Sequence, residues 1–429
     1  MLPLPLLGVL AACPPPGERV DLARVRTVEP APLIRRRAVK SQPAIELIQA
    51  ATHYGAPGAE GNVPVSLQPL FTRCRQALKT HGLTLRTDRR LHRAAGSLLG
   101  VKHLERVGSA GLRFVLLGHG IVEPHGRLLA DELAGVRDVH RALFARIVAA
   151  AASGQFNRIG GAVQVLPGLR LRLVILLLRG YVRLEPVVRG PVAGTSVLLR
   201  GVLAPGFAAP KAVITVPGGA TLRARLIAAT DGSFHVVVPL AAGRGVYQLE
   251  LLGTGPRGPE VTANFPLYVG VPPPTRYVLR PPHRVSGRDL PDAHAVAKAL
   301  LVGVNQARKQ AGRSPLLHSA ALAGVARAHS DEMCRRGDVR HYSPTTGTAL
   351  DRTRRARIGA LWVGENVGRG PTTEELHREF LRSPAHRVAM LRKGLTHVGI
   401  GVCINQSSTG GRTIYVTELF IRAAPSRRR

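Results

Sequence analysis

His341-Tyr342-Ser343-Pro344, Gly364-Glu365-Asn366 and Ser383-Pro384-Ala385-His386-Arg387 follow one another at domain-sized spacing, and two strand-like runs, His397 to Asn405 and Arg412 to Arg422, close the series. The helices around these strings can be read from their ends. Asp292 caps a helix that carries Val296, Leu300, Leu301, Val304 and Ala307 on one face and stops at Gly312. Ser319 opens the next, with Leu322, Val325, Ala326, His329 and Met333 as its stripe and Arg335, Arg336 and Gly337 closing it. Thr372 and Glu375 make a capping box for a third. Ser383 followed by Pro384 is an N-cap with proline at the first helical position, which places His386 in the first turn of a fourth helix ending at Gly394. Helices followed by a strand hairpin predict an α+β layered domain over 291–424.

The four pieces, in this order, resemble the CAP superfamily, the SCP-like domain of bacterial envelope proteins and eukaryotic secreted proteins. The resemblance covers about a third of the chain. It implies an α-β-α sandwich and a cleft set drawn from His341, Ser343, Glu365, Asn366 and His386. Spacing alone would not join these residues. Two imidazoles and a carboxylate in one cleft suit a divalent ion such as zinc, held by His341 and His386; alternatively the carboxylate fixes one histidine tautomer for acid–base work. The second glutamate of many eukaryotic relatives has no clear match, and Glu375, Glu379 and Glu418 remain open candidates. Phe380 stands where bacterial relatives often have Trp, and Ala389 where they often have Asn. Ser343 beside His341 invites a nucleophile reading, but its Ser-Pro-Thr-Thr-Gly context suits a hydroxyl-organised turn equally well, and no Gly-x-Ser-x-Gly elbow is present.

Working back toward the N-terminus, Val271-Pro272-Pro273-Pro274 to Pro291 reads as a stiff linker, with 272–290 as its bounds. Before it, residues 187–271 alternate between short apolar runs and Gly/Pro turns, among them Pro217-Gly218-Gly219 and Asp231-Gly232. Six or seven strands at this spacing predict an all-β sandwich of immunoglobulin-like or fibronectin-like type, with no chemistry of its own. Farther back, Leu70 to Gly82 aligns without a gap on Leu300 to Gly312, Leu91 and Ala95 fall on Leu322 and Ala326, and Arg158 to Val163 falls on His397 to Val402. Residues 44–186 are therefore expected to be a degenerate CAP-like copy, with Ile147 near the place of His386 and no counterpart of the motifs. The apolar run Leu169 to Leu178 carries Arg170 and Arg172 and is too short for a membrane span, so it is read as a buried strand.

Met1 to Ala12 is apolar and runs into Leu10-Ala11-Ala12-Cys13, a lipobox pattern in which Cys13 is acylated and anchors the protein to a membrane. The basic n-region is missing and the apolar segment is short; a start codon placed downstream of the true one accounts for both. Residues 14–43 are a Pro/Arg-rich tether, and 425–429 a basic tail. Of the other cysteines, Cys334 and Cys403 can form a bridge in an exported setting, while Cys74 lies on an apolar helical face as a buried thiol.

The chain has 429 residues, 45% of them hydrophobic, which supports several folded domains. It carries 60 Lys and Arg against 26 Asp and Glu, a formal charge of +34. Arginine dominates beside abundant Ala, Gly, Leu and Val, as a GC-rich genome would write on any solvated face. Read functionally, the charge suits anionic envelope polymer or lipid. Export makes nucleic acid the wrong partner, and 4% aromatic residues leave few stacking platforms. The sequence thus points to an exported cell-envelope lipoprotein whose C-terminal domain binds a ligand or wall component without turnover. A metal-assisted or serine hydrolase of peptide or wall polymer is the alternative.

Overall fold

In the C-terminal part of the computed structural model, a four-stranded sheet lies between two layers of helices. The structure describes residues 42–55, 64–133, 136–152, 156–279, 291–406 and 412–424. Cys13 and its apolar leader, the tether up to residue 41, residues 280–290 of the linker and the basic tail lie outside the described residues.

The described residues open with strands β1 (Ala44–Glu46) and β2 (His53–Tyr54), followed by α1 (Gln68–Lys79), β3 (Arg86–Thr87), α2 (Arg89–Leu99), α3 (Gly108–Gly118), β4 (Gly126–Leu133), α4 (Val136–Ala152), β5 (Arg158–Leu166) and β6 (Arg170–Leu178). The central strands are β7 (Val182–Leu184), β8 (Val187–Val188), β9 (Ser196–Leu203), β10 (Ala208–Thr215), β11 (Thr221–Arg223), β12 (Arg225–Ala228), β13 (Ser233–Pro239), β14 (Gly245–Gly255), β15 (Gly258–Val269) and β16 (Arg276–Val278). The last part runs α5 (Ala293–Gln310), β17 (Leu317–His318), α6 (Ala320–Arg336), α7 (Ala349–Arg355), β18 (Ala360–Gly370), α8 (Thr373–Arg382), α9 (Pro384–Leu391), β19 (His397–Gln406) and β20 (Arg412–Ala423).

The C-terminal sheet has the order β17-β19-β20-β18, with β17 parallel to β19 and the other pairs antiparallel. Side chains on successive strand residues leave opposite faces, which sorts the core into two layers. Val398, Ile400, Val416 and Phe420 pack against α5, α8 and α9, while Leu419 and Ile421 pack against Leu322 and Ala326 of α6. Gly399 and Gly401 let α6 lie directly on β19: a Cβ on Gly401 would stand 2.1 Å from the Ala326 carbonyl carbon. Cys334, near the end of α6, and Cys403 on β19 form a disulfide with Cα atoms 6.2 Å apart. The caps expected at Asp292, Ser319 and Ser383 each accept a backbone N–H, and Gly337 closes α6 in the left-handed region. Thr372 accepts from the Glu375 N–H, but Glu375 does not close the box; its carboxylate takes a hydrogen bond from Ser109 on α3. Helix α9 stops at Leu391, short of Gly394.

The first α/β part has a sheet of order β3-β5-β6-β4, again with one parallel pair, β3 and β5, at the same edge. The registers agree residue for residue. Asp88 N–H bonds the Ile159 carbonyl at 3.0 Å and caps α2, as Ser319 N–H bonds the Val398 carbonyl at 2.9 Å and caps α6. Gly160 lies against Leu91, where a Cβ would fall 2.3 Å from the leucine Cβ, as Gly399 lies against Leu322 at 2.4 Å. Cys74 is buried under α1 and its thiol is pushed up to about 12 by burial.

Between them, the sheets β11-β10-β14-β15 and β12-β13-β9-β7 enclose one core that includes Leu199, Val236, Ile214, Leu249 and Phe265. Two details differ from the sequence expectation. Strand β7, from the stretch assigned to the first α/β domain, pairs with β9. The stretch read as a stiff linker contributes β16, which pairs with β1 while Tyr277 stacks on Phe114 and Leu279 is buried. Tyr277 and Val278, between two proline clusters, were enough to make a three-residue strand once an edge was offered. Leu171 to Leu178 forms most of β6, buried from Leu173 onward. Among the described residues no helix is long and apolar enough to cross a membrane.

Candidate functional site

Strand β18 is the edge of the C-terminal sheet and carries Glu365 and Asn366 side by side. Consecutive strand residues point to opposite faces, so Glu365 enters the α6 and α7 layer and Asn366 the α8 and α9 layer. The two histidines approach this strand from those two sides.

On the first side, His341 Nδ1 lies 2.9 Å from Glu365 Oε1, and Arg352 of α7 donates to Glu365 Oε2. Burial by itself raises the Glu365 pKa, but the His341 hydrogen bond and the charges of His341 and Arg352 outweigh it and hold the carboxyl below its usual range. An ionised carboxylate only accepts, so Nδ1 of His341 carries the proton shared with Glu365. Arg352 also donates to the Gly347 carbonyl at 2.7 Å, tying the His341 loop to α7. Beneath the pair, buried His329 has Nε2 2.8 Å from the Arg340 carbonyl.

On the second side, Asn366 Nδ2 donates to the His386 carbonyl at 3.3 Å and to Glu418 Oε2 at 3.0 Å. Phe380 meets the His386 ring edge-on at 5.0 Å between centroids. Burial pushes His386 down to about 3, with His341 adding repulsion, so the ring is neutral near pH 7. Glu418 is 0% exposed, and burial pushes it up to about 8 against the pull of the Asn366 hydrogen bond. It is the one open glutamate candidate that reaches the Asn366 and His386 side, while Glu375 bonds Ser109 and Glu379 pairs with Arg382. Helix α9 is held at its C-terminal end by Arg308, which donates to the Met390 carbonyl at 2.7 Å.

Ser343 is 0% exposed. Its hydroxyl donates to Glu332 Oε1 at 2.9 Å and accepts the Thr346 N–H at 2.9 Å, and the backbone of Ser343 and Gly347 pairs across the same turn. The residue organises a turn, and its proton is committed to a carboxylate rather than to an imidazole.

The donors do not fit a zinc-type ion. Both Glu365 oxygens are engaged, one of them by a guanidinium, and among the described residues no three His, Cys, Asp or Glu side chains converge to hold a metal.

The other sheet provides a control. Leu178 pairs with Arg158 and Gly126 as Ile421 pairs with His397 and Val363, so Leu128, Leu129 and Ile175 occupy the register positions of Glu365, Asn366 and Glu418. Each polar cleft residue of one sheet is apolar in the other. Arg352 and Glu418 were not singled out from sequence as firm site residues. The Thr348 and Asp351 capping box at the start of α7 was a readable signal for the first. For Glu418, only the register across β18 and β20 could have decided.

The model of the cysteine-rich secretory protein family, CAP, matches residues 302–420. The uncharacterized protein YkwD of Bacillus subtilis (strain 168) is 32% identical over 108 residues, 25% of this chain and 42% of that protein. The uncharacterized membrane protein YlbC of the same strain is 31% identical over 109 residues, 24% of this chain and 31% of that protein. The chain therefore spans less than half the length of either relative. Among solved structures, an extracellular protein containing a SCP domain from Bacillus anthracis str. Ames aligns with a TM-score of 0.28 at 18% identity, covering 52% of this chain and 64% of that chain. The family match falls on the residues that carry the motifs and the helix-flanked sheet: residues 302–420 are a CAP domain of the cysteine-rich secretory protein family.

Proposed function

We propose that this chain is an exported cell-envelope lipoprotein whose CAP domain binds a ligand or wall component at the β18 edge, between His341 with Glu365 and His386 with Asn366, without turning it over. The observation that carries the reading is the pinning of Glu365 by His341 on one oxygen and Arg352 on the other. That arrangement fixes the orientation of the His341 ring and gives each Glu365 oxygen a donor. Neutral His386 and a buried Glu418 that keeps its proton near neutral pH add a donor-and-acceptor wall suited to a neutral polar ligand such as a sugar or peptide.

Export is supported by the Cys334–Cys403 disulfide, which persists in oxidising compartments, and by the lipobox sequence at Cys13. In this reading the central sandwich is an immunoglobulin-like spacer, and the first α/β part is a degenerate CAP-like copy kept for packing. Its shared strand order, register and N-cap positions support this, together with Leu128, Leu129 and Ile175 at the cleft positions. Cleft groups cost stability and are dispensable once unused, whereas the apolar faces that hold the fold are not.

The hydrolase alternative is favoured by one observation, the His341–Glu365 pair, which resembles an oriented general base. Incubating the purified chain with peptidoglycan sacculi separates the two readings: no release of amines or reducing ends is expected. Steady release that disappears in His341→Ala would replace binding with hydrolysis. Metabolic labelling with a clickable palmitate is expected to tag the wild type and not Cys13→Ala; equal labelling of both would remove the lipid anchor.

A further inference from the structure

The two segments that bring histidines to the cleft both rest on one hairpin of a different domain. At its tip, the Arg257 carbonyl accepts the N–H groups of His341 at 3.1 Å and Tyr342 at 2.9 Å. Gly258 makes this approach possible, with φ of +91° and space for a Cβ only 3.2 Å from the His341 Cβ. Midway along β14, Glu250 is 1% exposed. Its carboxylate accepts the Ala385 N–H at 2.7 Å, the Ser383 hydroxyl at 2.9 Å and the Asn264 Nδ2 at 2.9 Å. Ser383 Oγ in turn accepts the His386 N–H at 3.3 Å. The path from Glu250 to His386 is therefore two hydrogen bonds long and runs through the N-cap of α9. It extends the other way as well, because Arg113 of α3 donates to Asn264 Oδ1 at 2.7 Å.

A carboxylate set between domains is costly to bury unless each lone pair is used. The Ala385 N–H, the Ser383 hydroxyl and Asn264 Nδ2 all donate, which is the pattern an accepting carboxyl needs, although burial still pushes the Glu250 pKa up against them. A spacer domain would have no use for a buried acid aimed at the first turn of the helix that carries His386. The same contact at the helix start, where backbone N–H groups lack intrahelical partners, favours one orientation of α9 over others.

We propose that Glu250 is a positioning residue of the CAP cleft: through Ser383 it fixes the start of α9 and the His386 ring, so that the cleft is complete only with the central sandwich docked against it. The proposal rests on the cleft reading given above. Ligand binding at the cleft and docking of the sandwich are then coupled, and each favours the other by the same factor.

The test uses the full chain labelled with 15N-histidine, in wild type, Glu250→Ala, Glu250→Gln and Ser383→Ala, and reads the imidazole 1H–15N correlations. Glu250→Ala and Ser383→Ala are expected to move the His386 ring signals and leave those of His92 and His103, in the first α/β part, in place. Glu250→Gln, which keeps one accepting oxygen, is expected to restore most of the wild-type spectrum. If Glu250→Ala does not fold, Ser383→Ala and Glu250→Gln decide alone. Unmoved His386 signals, or equal movement of all histidine signals, overturn the proposal. A second arm measures binding of soluble disaccharide-peptide fragments of peptidoglycan, for which Ser383→Ala is expected to lose about tenfold in affinity, the worth of one charge-assisted hydrogen bond. Undiminished binding in Ser383→Ala overturns the positioning role. Absence of binding by the wild type counts against the cleft reading, and the ring spectra then judge Glu250 by themselves.

Discussion

Ser343 and Glu418 show how burial assigns a residue its role. Ser343 was a candidate because it stands two residues from His341, yet its hydroxyl lies between a carboxylate and two turn N–H groups. Ser343→Ala is therefore expected to lower stability by about 1–3 kcal/mol through stranded partners, measured as a shift in the urea midpoint, with ligand binding reduced only in proportion to unfolding. Glu418 is a pH-dependent weakness. Its folded pKa of about 8 lies above the ordinary carboxylate value, so between those two values the folded state holds a proton that the unfolded state releases. The Glu418 contribution is then lost as pH rises through that window and is fully present below it. Glu418→Gln keeps the shape without the charge, and its thermal midpoint is expected to exceed that of the wild type by more at pH 8 than at pH 5, for a gain of up to a few kcal/mol. An equal difference at both pH values would show that Glu418 ionises normally. His341, Glu365 and His386 each stand in a short local string, and it is the family resemblance that joins those strings into one set. Arg352 and Glu418 were not, since their approach depends on helix docking and strand register.

At the level of elements, the helix ends were the most readable features, because a cap is a matter of a few neighbouring residues. Asp292, Ser319, Thr372 and Ser383 all accept the backbone N–H groups expected of them. Helix α7 escaped notice because Ala-Leu-Asp-Arg-Thr-Arg-Arg has no apolar stripe; it is held instead by its capping box and by Arg352. The run Thr221 to Ala228 reads as one strand and forms two, β11 and β12, one in each sheet, since alternation says nothing about a strand that changes partners. The contact of α6 with β19 depends on Gly401. Gly401→Ala would press a methyl into the α6 backbone and is expected to cost about 3 kcal/mol or more in chemical denaturation, whereas an alanine at the exposed helical Gly324, where a Cβ meets nothing within 4 Å, is expected to stabilise by up to about 1 kcal/mol. The bridge across the same contact closes a separation of 69 residues, so the paired substitution Cys334→Ala with Cys403→Ala is expected to cost about 4 kcal/mol on the loop-entropy account. A loss below about 1 kcal/mol would mean that the reduced chain is already held by the glycine-mediated packing.

Across the described molecule, three folded parts are joined by polar contacts that the sequence could not announce. Ser109 on α3 bonds Glu375 on α8, Arg113 bonds Asn264, and Glu250 bonds the start of α9. None of the strands of the central sandwich carries a motif, so its sequence points to no chemistry of its own. Glu250 looks like any outward acid on an alternating strand until a neighbouring domain buries it. The two α/β parts share their strand order and register, and the positions of Glu365, Asn366 and Glu418 are apolar in the first. The formal charge of +34 acts at this scale too. If it engages an anionic polymer, affinity for that polymer is expected to fall steeply and log-linearly between 50 and 200 mM salt, whereas cleft binding of a neutral fragment should be nearly insensitive to salt. The most direct measurement is equilibrium binding of fluorescently labelled, uncharged peptidoglycan fragments to the full chain, to His341→Ala and His386→Ala, and to Arg225→Ser on the exposed face of the sandwich. The account predicts saturable binding by the wild type and Arg225→Ser, and losses of about tenfold or more in both histidine variants at unchanged thermal midpoint. Equal affinity in all four proteins, or no binding by the wild type, would contradict it.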